Sequence, residues 1–416
     1  MANVSSSNGL EKRPKLRFPG FDDPWMESSF DELGSFYNGL SGKSKDDFGQ
    51  GSDRFITYMN VYKNTIAAPD GCELVLVEDG EHQNRVEYGD ILFTQSSETL
   101  EEVGLSSVWL HKASPFLNSF CFGFHFAGKE MINPRFIAYS LRTSYMREKI
   151  IREGQGATRY NLSSNRLKPI KLVYPSYQEQ SRIASLMSRL ETRIEKQQEL
   201  ICTLKKYKRG VMSVLLTSKD NPYYSAETWK EVSLGDVASG FEYGMNAAAT
   251  IYDGSHKYIR ITDIDDSSHR YTQDSLVSPE GQVEEKYRVL ENDILFARTG
   301  ASVGKSYCYL KSDGELYFAG FLIRIHVNSG VDCSYVFQNT LTEAYRRWVM
   351  LESARSGQPG INAEQYKQYR FLLPPIEIQK KISLLASNLD VRISKGESLL
   401  SHLEQTKAAL LQQLFI

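Results

Sequence analysis

A ladder of apolar residues that occurs twice constrains the fold of this 416-residue chain most strongly. From Ile183 to Leu215, positions at alternating steps of four and three residues are mostly apolar, and the same spacing returns from Ile382 to Leu414 at a constant offset of 199 residues (183 to 382). The interruptions of the two ladders also coincide: Gln197 with Gly396, and Lys208 with Lys407. This spacing over more than four heptads predicts supercoiled helices. Two ladders in one phase predict a duplicated unit whose long helices pair.

The globular segments that precede the ladders are repeated as well. Trp25 corresponds to Trp229, and Phe120 to Phe321. The tetrapeptide Asp-Ile-Leu-Phe, which reads as a short buried strand, occurs at 90–93 and again at 293–296. A turn containing proline and then glutamine precedes each ladder, with Gln180 in the first turn and Gln379 in the second. The chain therefore has the order domain, helix, domain, helix.

Composition excludes several classes of protein. The 49 basic and 51 acidic residues give a formal net charge of −2, so no overall basicity indicates nucleic acid. Mean hydropathy is −0.40, and no apolar run approaches the roughly 18 residues that a membrane-spanning helix needs. The polar N-terminus lacks the apolar region of a signal peptide. The five cysteines form no CxxC pair, which favours free thiols and predicts a cytoplasmic protein.

The doubled order of these features resembles the specificity subunit of type I restriction–modification systems. The resemblance covers nearly the whole chain and depends on the segment 14–21 with Trp25, the two Asp-Ile-Leu-Phe strands, and the turns that carry Gln180 and Gln379. The two turns differ in detail: Ser176 stands where the second turn has Pro375, and Glu179 where it has Ile378. We expect these differences to alter contacts at the start of each helix and to leave the architecture intact.

The resemblance implies an α+β fold in which two pseudo-repeated α/β target-recognition domains are joined by two long helices that form an antiparallel coiled coil. The expected parts are an N-terminal extended segment (1–24), the first domain (25–170), the central helical region (171–220), the second domain (221–370) and the C-terminal helical region (371–416). The predicted core of the helix pair consists of Ile183, Leu190, Ile194, Ile201, Leu204, Ile382, Leu389, Ile393, Leu400 and Leu403.

A protein with two recognition domains and a rigid spacer can read two separated half-sites. At 1.5 Å per residue, the helix from Ile183 to Leu215 extends about 50 Å. At about 3.4 Å per base pair, this length corresponds to about 15 base pairs of DNA. The resemblance implies a bipartite target with an unspecified spacer, and the divergence of the two domains implies that the target is asymmetric.

Loops at corresponding places in the two halves supply the residue types that contact DNA. Amide and guanidinium groups form paired hydrogen bonds to base edges, while hydroxyl and backbone groups bind phosphates. For about half of the candidates, an ordinary solvated loop role is the alternative. The predicted DNA-binding residues are Lys43, Lys45, Gln95, Ser96, Ser97, Thr158, Arg159, Tyr160, Asn161, Tyr243, Arg298, Thr299, Lys305, Gln358 and Asn362.

The sequence contains no complete catalytic or metal-binding motif. Residues 221–224, Asn-Pro-Tyr-Tyr, are similar to the adenine-binding loop of amino-methyltransferases but lack its second proline, and no glycine-rich cofactor loop precedes them. Residues 300–306 have three residues between their glycines where a phosphate-binding loop needs four. His125 and His326 occupy corresponding positions, for which core packing is the favoured interpretation. We therefore predict that the chain is not an enzyme.

The resemblance also implies partners. It implies a DNA-recognition subunit that directs methyltransferase and nuclease subunits to double-stranded DNA and does no chemistry itself. Two methyltransferase (modification) subunits would bring S-adenosylmethionine, and restriction subunits would use ATP and Mg²⁺, so this chain would bind no cofactor or metal. The alternative is a stand-alone DNA-binding or scaffold protein with duplicated domains. Copurification with a methyltransferase would separate the two hypotheses.

Overall fold

Two compact units make up the chain. A computed structural model describes residues 13–128, 131–217, 220–354 and 358–415. The first unit comprises residues 1–197 and 399–416, and the second comprises residues 198–398. Each unit therefore contains one globular head and a segment of each of two long helices. We call the globular parts of the two units the first head and the second head.

The first head is built on a five-stranded sheet with the order β2-β10-β6-β8-β4, beside a three-stranded sheet with the order β5-β3-β9. Its strands are β1 (Met26–Ser29), β2 (Gly34–Asn38), β3 (Phe48–Ile56), β4 (Ile66–Ala67), β5 (Cys72–Val75), β6 (Ile91–Thr94), β7 (Ser96–Ser97), β8 (Ser106–Trp109), β9 (Phe116–Leu117), β10 (Cys121–Phe126), β11 (Tyr160–Asn161) and β12 (Lys171–Tyr174). The helices of this part are α1 (Phe30–Leu33), α2 (Tyr58–Lys63), α3 (Pro134–Ser140), α4 (Ser144–Arg152), α5 (Ser164–Leu167) and the first long helix, α6 (Tyr177–Thr217).

The second head repeats this plan with a four-stranded sheet of order β14-β21-β18-β19. Its strands are β13 (Lys230–Ser233), β14 (Ala238–Tyr243), β15 (Ala249–Ile251), β16 (Lys257–Ile259), β17 (Val277–Pro279), β18 (Asp293–Ala297), β19 (Ser306–Cys308), β20 (Leu316–Phe318), β21 (Leu322–Val327) and β22 (Arg370–Leu373). The helices are α7 (Leu234–Val237), α8 (Cys333–Asn339), α9 (Glu343–Glu352), α10 (Ala363–Lys367) and the second long helix, α11 (Ile376–Leu414).

The duplicated tetrapeptide forms the central strand of each head. β6 lies between β10 and β8, and β18 lies between β21 and β19, all antiparallel. Every residue of β6 and of β18 is buried. A strand that is covered on both faces needs a continuous apolar run, which is why the tetrapeptide does not alternate with polar residues. This placement confirms the buried strand that the sequence predicted.

The two long helices lie antiparallel. In the first unit, Ile183 and Met187 near the start of α6 share a core with Leu414 near the end of α11. In the second unit, Leu215 near the end of α6 shares a core with Ile382 near the start of α11. Every position of both ladders, including the ten predicted helix-pair core residues, is buried or half-buried. The predicted fold class, two pseudo-repeated domains with an antiparallel pair of long helices, is confirmed.

The two ladder lysines form equivalent ion pairs. Lys208 Nζ on α6 lies 2.6 Å from Asp390 Oδ1 on α11, and Lys407 Nζ on α11 lies 2.7 Å from Glu191 Oε1 on α6. Both pairs obey the 199-residue offset, because 208 maps to 407 and 191 maps to 390. The two ion pairs are therefore equivalent in the internal repeat, and neither ladder lysine is buried without a partner.

A buried glutamine joins each head to the start of its long helix. Gln180 Oε1 accepts the N–H of Asn133 at 2.7 Å, while its Nε2 donates to the carbonyl oxygens of Pro175 and Met131, each at 2.9 Å. Gln379 repeats the arrangement, accepting the N–H of Asp332 at 2.9 Å and donating to the carbonyl oxygen of Pro374 at 2.8 Å. The turns that carry these glutamines therefore fix the direction in which each helix leaves its head.

The difference at the helix start also has a structural reason. Arg17 forms two 2.8 Å hydrogen bonds to the buried carboxylate of Glu179, and Leu16 N–H donates to the Gln413 carbonyl oxygen. The extended N-terminal segment thus packs on the start of α6 and the end of α11. At the position equivalent to Glu179, Ile378 packs against the apolar core of the second unit.

Strand pairing continues past residues 170 and 370, where the two globular domains were expected to end. β12 pairs with β1 and β22 pairs with β13, and each pair is a two-stranded sheet of its own. The prediction that His125 and His326 pack in the core is wrong. His125 is half-buried and His326 is exposed. Each ring places Nδ1 2.8 Å from a buried carboxylate at the start of the central strand: Asp90, directly before β6, or Asp293, the first residue of β18.

Candidate nucleic-acid interface

In the first head, three loops meet where β6 ends. Gln95, the residue after β6, donates its backbone N–H to the Phe120 carbonyl oxygen at 2.8 Å. Its own carbonyl oxygen accepts the N–H of Leu162 at 2.8 Å. The end of the central strand is therefore held between the turn before β10 and the segment after β11. We call Gln95, Phe120 and Asn161 the first strand-end cluster.

Two segments predicted from the sequence as separate loops are neighbours here. β7 pairs antiparallel with β11, with Ser96 opposite Asn161 and Ser97 opposite Tyr160. Two backbone hydrogen bonds between Gln155 and Asn161, of 2.9 and 2.7 Å, close the loop that carries Thr158 and Arg159. The structure thus brings the residues around Gln95 and the loop 155–161 into one surface.

The second head contains the equivalent arrangement with different side chains. Arg298, the residue after β18, donates its N–H to the Phe321 carbonyl oxygen at 3.0 Å and accepts the N–H of Ile361 at 2.9 Å. Thr299 forms an isolated bridge with Gly360, as Ser96 pairs with Asn161 in the first head. Arg298, Phe321 and Gly360 form the second strand-end cluster. The backbone frame is shared, and the residue at its centre changes from glutamine to arginine.

Aromatic rings hold the side chain of Arg298. Its guanidinium carbon lies 5.1 Å from the ring centre of Tyr243 and 5.9 Å from that of Phe321, within the range of cation–π attraction. Arg298 Nε donates to the Gly320 carbonyl oxygen at 3.0 Å. Tyr243 is itself fixed, because its hydroxyl oxygen accepts the Ala363 N–H at 3.2 Å. A guanidinium held in this way loses little conformational entropy when it binds a ligand.

Four predicted DNA-binding residues are engaged inside the protein. The Lys43 side chain is only 4% exposed and bonds to Glu81 Oε1 at 2.5 Å, a contact that lowers the pKa of Glu81 to about 2. Lys305 Nζ donates to the Ile264 carbonyl oxygen at 2.9 Å and pairs with Asp266. Ser97 is buried, and Asn362 caps α10 by accepting the Gln365 N–H at 2.9 Å. To contact DNA, these side chains would have to give up their present hydrogen bonds or ion pairs.

The other predicted DNA-binding residues differ in exposure. Tyr160 packs against the core of the first head, and Thr299 Oγ1 donates to the Pro359 carbonyl oxygen at 3.4 Å. Ser96 is half-buried, and its carbonyl oxygen accepts the Tyr58 hydroxyl at 2.6 Å. The exposed candidates, which could contact bases or phosphates without rearrangement, are Lys45, Gln95, Thr158, Arg159, Asn161, Tyr243 and Gln358.

The exposure of Phe120 and Phe321 was not predicted from the sequence. Both lie in turns directly before a strand whose residues are mostly apolar and buried, so their sequence context suggests core. Their side chains are 62% and 60% exposed and adjoin Gln95 and Arg298. The correspondence of the two positions in the repeat was the signal that could have identified them.

The motifs that resemble catalytic loops have structural roles. The buried Asn221 side chain donates to the Leu215 carbonyl oxygen at 2.6 Å, and its Oδ1 accepts the Tyr223 N–H at 2.8 Å, so residues 221–224 form the turn that follows α6. In residues 300–306, the lysine is engaged as described above, and the Gly304 carbonyl oxygen accepts the Tyr345 hydroxyl. Among the described ranges, no group of three or more His, Cys, Asp or Glu residues is placed to hold a metal ion.

Comparison with known proteins identifies what this arrangement is similar to. The family described as the type I restriction modification DNA specificity domain matches residues 23–205 and again residues 226–404. The two matches coincide with the two halves of the internal repeat and together cover most of the chain. Across the described part of the chain, no helix is both long enough and apolar enough to span a bilayer.

Named relatives and solved structures agree with the family match. The StySPI specificity subunit of Salmonella potsdam is 24% identical over 329 residues, which is 75% of this chain and 70% of the relative. The EcoKI specificity subunit of Escherichia coli is 23% identical over 338 residues, with the same coverage. The crystal structure of the S subunit from M. genitalium superposes with a TM-score of 0.58 at 16% identity, covering 97% of this chain and 99% of that one.

Proposed function

Because the chain belongs to the type I restriction–modification DNA specificity family, we propose that its two heads read the two halves of a bipartite, asymmetric DNA target. Membership of the family makes the chain a non-catalytic subunit for DNA target recognition in a type I system. The assignment of one half-site to each head is our proposal. It depends on one observation: equivalent backbone frames carry Gln95 in the first head and Arg298 in the second.

The chemistry of these two residues favours base contacts of different specificity. A glutamine amide pairs best with adenine through N6 and N7, and an arginine guanidinium pairs best with guanine through O6 and N7. Neighbouring exposed residues, Thr158 and Arg159 in the first head and Gln358 in the second, supply further polar groups for bases or phosphates. Two heads with one frame and different contact residues are what an asymmetric target requires.

The proposed partners are two methyltransferase subunits, which would bring S-adenosylmethionine, and ATP-dependent restriction subunits, which would bring ATP and Mg²⁺. The exposed basic residues of α6 are candidate surfaces for these subunits or for the DNA backbone: Arg189, Arg193, Lys196 and Lys206. Lys205 on the same helix is engaged by Glu397 at 2.7 Å. We also propose a cytoplasmic location, where cellular and incoming DNA would be accessible to the complex.

Methylation mapping tests the proposal. Cells that carry this chain with its neighbouring genes should show N6-methyladenine in a sequence with two unrelated parts separated by a spacer of fixed length. Deleting the gene for this chain should abolish that methylation. A contiguous or palindromic methylated sequence would contradict the assignment of one different half-site to each head. Failure of the chain to copurify with a methyltransferase would favour the stand-alone DNA-binding alternative.

A further inference from the structure

The two exposed phenylalanines are unusual within this protein. All 20 phenylalanines lie in the described residues, and only Phe120 and Phe321 are exposed. An isolated exposed apolar residue on a protein surface needs no explanation. Here the two exceptions among 20 occupy the same position of the internal repeat, so chance exposure is a poor account of them.

Backbone contacts establish the equivalence of the two positions. In the first head, Thr94 pairs with Cys121, and the next residues outward are Gln95 and Phe120. In the second head, Ala297 pairs with Leu322, and the next residues outward are Arg298 and Phe321. Each phenylalanine therefore lies directly across from the residue that we propose as a base reader.

The phenylalanine is retained while its neighbour changes. Arg298 lies beside Phe321 in the second head, and Gln95 takes that place beside Phe120 in the first. A contact that is the same in both heads suits a feature that every DNA sequence offers, whereas the changing neighbour suits a feature that differs between half-sites. Every base has an apolar π-face, and stacking on it is tolerant of sequence.

We propose that Phe120 and Phe321 each stack against a nucleobase of the half-site read by their own head. This inference rests on the proposed function, because it places the rings within the same DNA interface. Proteins use phenylalanine in this way, inserting the ring beside or between bases and partly unstacking a base step. The rings would hold the DNA in position for Gln95 and Arg298 without contributing to the choice of base.

The test uses the complex purified from cells that carry this chain with its neighbouring genes. The probe is a duplex with the methylation-mapped target, in which 2-aminopurine replaces one adenine at a time within each half-site. For wild-type protein, we expect binding to change the fluorescence of one probe position in each half-site. Phe321→Ala should remove this change in the second half-site alone and weaken target binding about ten- to a hundredfold, as expected for the loss of one stacked base.

Further variants serve as matched comparisons for Phe321→Ala. Phe120→Ala should act on the first half-site alone, and Phe321→Trp should retain binding because the larger ring also stacks. Leu290→Ala is the control, since Leu290 is exposed in the same head but precedes β18 whereas Arg298 follows it. Circular dichroism and gel filtration verify that each variant is folded and holds its partner subunits.

Three outcomes would overturn the inference or its premise. If Phe321→Ala binds the target within twofold of wild type and keeps the fluorescence change, the ring does not stack on DNA. If Phe321→Ala instead loses a partner subunit, the ring is part of a protein interface. If the wild-type complex shows no preference for the mapped duplex over one with scrambled half-sites, the proposed function itself fails.

Discussion

At the level of single residues, we propose that specificity depends on side chains that a shared backbone presents. Gln95 and Arg298 occupy one position of the repeat, each between the same two neighbouring loops. Arg298 uses its Nε–H for the Gly320 carbonyl oxygen, and a guanidinium has four further N–H donors. Those donors are sufficient for a paired contact with guanine.

Replacing Arg298 by alanine should therefore disturb only the second half-site. We expect discrimination at one base pair of that half-site to fall about ten- to a hundredfold, because a paired arginine–guanine contact contributes about 1–3 kcal/mol. Binding competition with duplexes that vary each base pair measures the change. Arg298→Lys keeps the charge and loses the planar fork, so it separates base from phosphate contact. Equal loss of affinity for all sequences in Arg298→Ala, with rescue by lysine, would indicate a phosphate contact.

At the level of secondary structure elements, two kinds of interaction fix the positions of the long helices. Gln180 and Gln379 attach each helix to its own head through buried hydrogen bonds. The ion pairs of Lys208 and Lys407 fix the register of the antiparallel helices. The glutamines act between a long helix and the loops of its head, and the ion pairs act between the two helices, so each contribution can be tested separately.

Gln180→Ala should destabilise the first unit. The substitution leaves the Asn133 N–H and two carbonyl oxygens without their side-chain partner, and one such buried group costs about 1–3 kcal/mol. Gln178→Ala, an exposed position on the same helical turn, is the matched control. Denaturant unfolding of the full chain with probes in each unit measures the effect. Equal stability of the two variants would mean that water replaces the glutamine without cost.

The Lys208–Asp390 pair should show favourable coupling in a double-mutant cycle. Both side chains are only partly exposed, so we expect a coupling of about 1 kcal/mol, near the top of the range for surface pairs. Lys208→Asp alone and Asp390→Lys alone should each lower the free energy of unfolding, because each places like charges together. Combining both exchanges should restore most of the loss. Additive losses in the combined variant would show that the two charges do not interact.

For the whole molecule, we infer from the internal repeat that the ladder of α6 is complementary to a second copy of itself. Glu191 on α6 is the repeat equivalent of Asp390 on α11, which is the acid that pairs with Lys208. In an antiparallel pair of two α6 helices, Lys208 of one copy would therefore meet Glu191 of the other. The apolar positions of the two ladders correspond as well.

A fragment that ends near residue 219 should consequently form a homodimer through α6. Two identical heads related by a twofold axis would read an inverted repeat of the first half-site. Sedimentation at tens of micromolar tests dimer formation, and methylation mapping with the partner subunits tests the palindromic target. Glu191→Lys should weaken this dimer, since it would set two like charges opposite each other in both copies. A monomeric fragment that directs no palindromic methylation would refute the role of the helix pair.

The duplication, the central strands and the long helices follow from the amino-acid sequence alone. These features depend on local periodicity: the four-three ladder defines a helix face, and the uninterrupted apolar run Ile-Leu-Phe indicates a strand covered on both sides. Because the offset is constant through the ladders, the sequence also indicated that the helices pair. The first long helix begins at Tyr177, six residues before the first ladder position, Ile183.

Which of the candidate loop residues are exposed depends on the tertiary structure. Lys43 and Lys305 have the charge of phosphate-binding residues, yet packing places Glu81 and Asp266 against them from distant parts of the chain. Phe120 and Phe321 belong to apolar segments, yet the turn before each strand leaves their rings in solvent. The partner of a side chain depends on which segments the fold brings together. Local sequence patterns carry no information on that long-range choice.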